Sequence, residues 1–181
     1  MPFTSSKPIV RTITSNQHTL LETFSLVCKL KGLPTSAQLL ADAPANLTEQ
    51  LKARQAFSFT DRDLQLTDPL AALIYLDRRY PAPALSPIDA QDTAAMHSAL
   101  ADVLRPRNLK QAANSLNVLP GLLRGGRYLL GSDASLLDCA VVGLYECIAG
   151  AQPERLTSAT HAALSPLQMQ LQLLVTAQGS A

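Results

Sequence analysis

A Ser-x-x-Asp box, Ser135-Leu136-Leu137-Asp138, opens the most apolar stretch of the chain, Leu136 to Ile148. The Ser135 hydroxyl can accept from the backbone N–H of Asp138 while the Asp138 carboxylate accepts from that of Ser135, so two helix-end donors are satisfied reciprocally. A helix that begins this way and is apolar on nearly every side cannot lie on a surface. It must be the central, buried helix of a helical domain, and the other segments are read around it.

Beyond residue 88 every strong periodic signal is helical. Asp89 to Leu104 is amphipathic through Met96, Leu100 and Val103 or Leu104, and Arg105-Pro106-Arg107 breaks it. Leu109, Ala112, Ala113, Leu116 and Leu119 keep helical spacing up to Pro120-Gly121. In the tail, LQMQLQLLV alternates like a strand, but Ser165 as cap with Pro166 at the first helical position favours a helix starting there.

The first 80 residues follow a different rule, alternating short apolar pieces with helical ones as α/β units do. Strands are expected at Pro8 to Ile13 and Thr35 to Leu40, and a hairpin at Ala56 to Thr60 and Leu64 to Leu66 around Asp61-Arg62-Asp63. Helices are expected at Thr19 to Lys31, closed by Gly32, at Leu47 to Ala53, and from Pro69 to Tyr80 with Asp68 or Thr67 as cap. Leu70, Leu73, Ile74 and Tyr80 form the inward face of the last of these. Pro81, Pro83 and Pro87 then stiffen a linker. The expected organisation is α/β plus all-α: a thioredoxin-like domain over 1–80, a linker over 81–88 and a helical bundle over 89–181.

Bulk composition excludes several functions. The formal net charge is +1, so the overall balance points to neither nucleic acid nor a membrane surface. Charged residues make up 16% and hydrophobic ones 47%, a surface low enough in charge to suggest a homodimer. No apolar run reaches the roughly 18 residues of a membrane span, and the N-terminal residues have no apolar signal core, so a cytoplasmic location is expected. Cys28, Cys139 and Cys147 form no CxxC pair, and about 12 Å of helical rise separates the last two; all three are expected to be buried structural thiols. His18, His97 and His161 show no metal-ligand spacing, the glycines from Gly121 to Gly126 lack the Lys-Ser/Thr of a phosphate loop, and no nucleophile elbow occurs.

The α/β unit, the proline-rich linker and the capped buried helix together resemble glutathione transferases, and within them the bacterial stringent starvation protein A group. The residues that carry this are Asp61 to Leu66, Tyr75-Leu76-Asp77-Arg78-Arg79-Tyr80-Pro81-Ala82-Pro83-Ala84-Leu85, Met96-His97 and Ser135 to Cys139. The resemblance implies a site with three parts: a hydroxyl or thiol donor at the start of the first helix, a cis-proline before the third strand, and an acid-serine pair opening the third helix. Counting from Gly32 puts His18 at the first, with Ser15 and Thr19 nearby. Counting from Asp61 puts Phe57 at the second, where a non-proline residue strongly prefers a trans bond and the ring would fill the cleft. Asp68 matches the acid of the third, but Pro69 replaces the serine.

Conventional transferase activity is therefore not expected, no cofactor is implied, and Asp68 is the one remnant through which glutathione could still bind. The resemblance instead implies a non-catalytic regulator that contacts RNA polymerase, the contact segment being Tyr80, Pro81, Pro83 and Leu85 with Ala82 in place of the group's histidine. Arg105, Arg107 and Lys110 form a second candidate surface for an acidic protein patch or a phosphorylated nucleotide, and lack the interleaved aromatics that single-stranded nucleic acid would stack on. Two alternatives stay open: a divergent glutathione-dependent transferase or peroxidase using His18 or Ser15, and an interaction module with another partner.

Overall fold

The computed structural model describes residues 9–40, 56–105, 108–121 and 126–178. The helix expected at Leu47 to Ala53, most of the Gly121 to Gly126 loop, Arg107 and Pro8, where the first strand is expected to start, lie outside them; Ile9 and Val10 are described and precede the strand.

The N-terminal part is a sheet with helices against it. Strand β1 (Arg11–Ser15) leads into helix α1 (His18–Leu30), and the chain returns as β2 (Thr35–Leu39), parallel to β1. Gly32, with φ of 63°, takes the left-handed turn that ends α1, its N–H bonded to the Lys29 carbonyl at 3.1 Å. Strands β3 (Phe57–Asp61) and β4 (Leu64–Leu66) form the expected hairpin, β3 antiparallel to β1, giving the order β2-β1-β3-β4. Helix α2 (Pro69–Arg79) follows; Asp68 caps it by accepting from Ala71 N at 2.7 Å. Its buried face holds Ala72, Leu73, Leu76 and Asp77, while Leu70 and Ile74, expected inward, are only half-buried.

The C-terminal part is helical: α3 (Ala90–Val103), α4 (Leu109–Val118), α5 (Leu136–Ala151) and α6 (Ser158–Gln178). Both halves of the Ser135/Asp138 box are made, and α5 buries an unbroken run from Leu136 to Tyr145. One start differs from the expectation. Helix α6 begins well before Ser165, because Thr157 provides an earlier cap, its Oγ1 accepting from Thr160 N at 3.1 Å and its carbonyl accepting from His161 N. Pro166 therefore lies inside the helix on its exposed side, and the Ser165 hydroxyl bonds the Tyr145 hydroxyl at 2.9 Å.

The two parts share one core. Helix α1 packs along α5, where a Cβ on Gly143 would stand 2.6 Å from Thr23 Oγ1 and 2.9 Å from Thr23 N. Only a glycine allows that approach of one backbone to the other.

Candidate functional site

The first candidate position is the turn from β1 into α1. Asn16 N donates to the Ala56 carbonyl at 3.1 Å, tying this turn to the chain just before β3. His18 is the first residue of α1 and its side chain is exposed. Ser15 is fully buried, and its Oγ accepts from Gln17 N at 3.0 Å, so it braces the turn.

Phe57 has the trans bond expected of a non-proline residue, but its ring is not where its position suggested. Its ring is fully buried, with its centroid 4.9 Å from that of Phe24 on α1, so it points into the core. The strand alternation explains this, since Phe57 and Phe59 share the face that packs on α1. Among the described residues the cis peptide is Ala82-Pro83, and the bond preceding Phe57 is not cis.

At the third position Asp68 is exposed and Pro69 buried, and both border a groove of about 170 Å³ with Leu70, Ala101, Leu104 and Arg105. The fold thus brings together Asp68 and Arg105, which the sequence placed on unrelated surfaces. Arg105 Nη2 lies 3.4 Å from Asp102 Oδ1, and both side chains are well exposed. Lys110, exposed near the start of α4, does not line this groove.

The expected contact segment is held from below. The Lys31 ammonium is buried and donates to Asp77 Oδ1 at 2.8 Å, to the Tyr80 carbonyl at 2.7 Å and to the Pro83 carbonyl at 2.8 Å. Asp77 Oδ1 also accepts from Leu85 N at 3.0 Å, and the Leu85 carbonyl accepts from Leu136 N at 2.8 Å. Leu85 is 2% exposed, so it is a core residue and offers nothing to a partner. Nor is the Tyr80 hydroxyl free: it donates to Asp61 Oδ2 and accepts from Arg11 Nη2, both at 2.6 Å. Pro81, Ala82 and Ala84 remain exposed, and Pro83 half-buried. Sequence reasoning missed Lys31 and Asp77; a lysine at the end of an apolar helix face was the one available signal.

Burial pushes the Cys28, Cys139 and Cys147 thiols up from their ordinary value, and Cys28 and Cys139 are fully buried while Cys147 is half-buried. Among the described residues no group of three or more His, Cys, Asp or Glu side chains could hold a metal ion. No helix among them is long and apolar enough to cross a membrane.

Neither protein-family models nor curated protein sequences gave a match to this chain. Solved structures did. A maleylpyruvate isomerase described as a bacterial zeta-class glutathione S-transferase superposes with a TM-score of 0.72 at 14% identity, covering 94% of this chain and 96% of that one. The fold is that of a glutathione transferase. A glutathione transferase homologue from Sulfitobacter with bound glutathione gives a TM-score of 0.69 at 18% identity, over 95% and 98% of the two chains. A Burkholderia homologue, also with bound glutathione, gives 0.64 at 18%, over 95% and 99%. The glutathione transferase fold therefore takes in both the sheet and the helical part, with Arg11–Ser15 to Leu64–Leu66 as its sheet and Leu136–Ala151 as its central helix.

Proposed function

We propose that this protein is a divergent glutathione-dependent transferase, binding a γ-glutamyl thiol peptide between the start of α1 and the start of α2. The observation that carries this reading is that His18 stands exposed at the α1 N-terminus while the Phe57 ring is packed into the core against Phe24. A thiol with a pKa near 8.5 is mostly protonated at neutral pH, and a hydrogen-bond donor together with the positive end of a helix favours its thiolate. His18 would supply that donor and Asp68 would accept the peptide's ammonium. The thiolate would attack an electrophilic carbon, the new C–S bond forming as the leaving group departs with its electron pair and the thiol proton passes to solvent. Similarity to structures that hold glutathione supports the choice of peptide.

Turnover of a chromogenic electrophile at millimolar glutathione tests the reading. His18→Ala is expected to lower kcat by about 100-fold, and Asp68→Ala to raise KM for glutathione with a smaller effect on kcat. Absence of both binding and turnover in the wild type would sink it.

A second reading has its own support. The Lys31 contacts hold the exposed Pro81, Ala82 and Ala84 rigidly, and a rigid loop loses little entropy on binding. This is the segment through which a regulator resembling stringent starvation protein A would touch RNA polymerase. Co-purification with polymerase that is lost in a Pro81→Asp/Ala84→Arg variant, in a protein inert toward glutathione, would favour it over the transferase.

A further inference from the structure

Two opposite charges, one from each part of the fold, border a single groove. Asp68, the cap of α2, and Arg105, just past the end of α3, line it with Pro69, Leu70, Ala101 and Leu104. Both charged side chains are exposed, while Pro69 and Leu104 are buried and give the groove apolar walls. At about 170 Å³ it is well under the roughly 300 Å³ of a pocket for a drug-sized molecule, which suits one end of a ligand. Two of the first donors at the α2 N-terminus are already gone. Pro69 has no N–H, and the N–H of Ala71 donates to Asp68 Oδ1 at 2.7 Å. An α-amino acid carries its ammonium and its carboxylate on one carbon, so a groove that seats the first must also accommodate the second. Asp68 alone would attract the ammonium and repel the carboxylate.

We infer that Arg105 binds the α-carboxylate of the γ-glutamyl end while Asp68 binds its ammonium, so that an arginine from the helical part stands in for the serine missing at Pro69. This rests on the glutathione-dependent reading above and gives it a second binding residue. A guanidinium presents its N–H donors in a planar fork that matches a carboxylate bidentately. Arg105 Nη2 lies 3.4 Å from Asp102 Oδ1, and with the two side chains at 65% and 63% exposure that ion pair is weak, so sharing the guanidinium with a ligand costs little. A zwitterion brings one charge of each sign to a groove that offers one of each. A ligand lacking either group leaves Asp68 or Arg105 without its partner, which makes the pair a specificity element.

Isothermal titration calorimetry with three thiol peptides tests this: glutathione, 4-aminobutanoyl-Cys-Gly, which lacks the α-carboxylate, and glutaryl-Cys-Gly, which lacks the ammonium. Arg105→Ala should weaken glutathione about tenfold, the lower end for a charged hydrogen bond, and should not weaken 4-aminobutanoyl-Cys-Gly, which has no carboxylate to lose. Retained binding of that peptide also shows that the variant is folded. Asp68→Ala should do the reverse, weakening 4-aminobutanoyl-Cys-Gly and sparing glutaryl-Cys-Gly. In turnover, Arg105→Ala should raise KM for glutathione at unchanged kcat, as loss of uniform binding does. An Arg105→Ala protein that binds glutathione as the wild type does, or that loses glutathione and 4-aminobutanoyl-Cys-Gly alike, would overturn the inference and leave the transferase reading standing. A wild type that binds none of the three peptides would overturn that reading and this inference together.

Discussion

Asp138 shows how far one local motif reaches. Its Oδ2 accepts from Ser135 N at 2.8 Å and from the Ser135 hydroxyl at 2.5 Å, and its Oδ1 accepts from Leu129 N at 2.8 Å. Burial raises its pKa above the ordinary 3.8, and the hydrogen bonds from Leu129 and Ser135 oppose the rise without cancelling it. An acid bound more tightly to its proton in the folded state contributes stability below the unfolded pKa, which is lost as pH climbs through the folded one. Asp138→Asn removes that titration and leaves an amide that cannot accept three bonds. The variant should be less stable by about 1–3 kcal/mol. The gap between it and the wild type should be widest near pH 3.5 and narrower at pH 7, as read from urea unfolding at each pH. The contact between Ser135 and Asp138 was legible because it spans three residues; that of Leu129, nine residues upstream, was not.

Among the elements, α1 and α5 approach each other closely enough at Gly143 to leave no space for a side chain. Gly143 has no room for a Cβ, since the nearest atoms include the backbone N and Cα of Thr23, which cannot move without moving α1. Gly143→Ala should cost about 1–3 kcal/mol by forcing the helices apart. Gly150 lies on the same helix with nothing within 4 Å of its Cβ position. Gly150→Ala should therefore stabilise by up to about 1 kcal/mol through helix propensity alone. Thermal unfolding of the pair separates packing from propensity. Element starts were readable where a cap and a periodicity agreed, as at Asp68 and Ser135. At α6 the proline signal misled because the competing cap, Thr157, is itself braced across the bundle by Asn117, whose Oδ1 accepts from Thr157 N at 3.0 Å.

At the scale of the whole molecule, the proline-rich segment is a seam held shut by one cation, with the thioredoxin-like part supplying Lys31 and Asp77 and the helical part receiving Leu85 through Leu136. Lys31→Met leaves the Asp77 carboxylate buried without its cation and should cost about 3–5 kcal/mol. A linker in free solution would lose almost nothing. Chemical denaturation followed by circular dichroism measures the difference, and the wild type should unfold in one transition because α1 and α5 belong to a common core.

The sequence by itself determined what short-range physics controls: the alternating and helical periods, the Asp68 cap, the Ser135/Asp138 box, and with them an α/β part followed by helices. Tertiary structure alone decided which way Phe57 faces, that Leu85 is core, that Lys31 has three acceptors, and that Asp68 and Arg105 border one groove. Those outcomes depend on desolvation and packing between residues far apart in the chain, 52 positions in the case of Lys31 and Pro83. No local pattern encodes such a distance, because the cost of burying a charge or the gain from burying a ring depends on what the rest of the chain brings beside it.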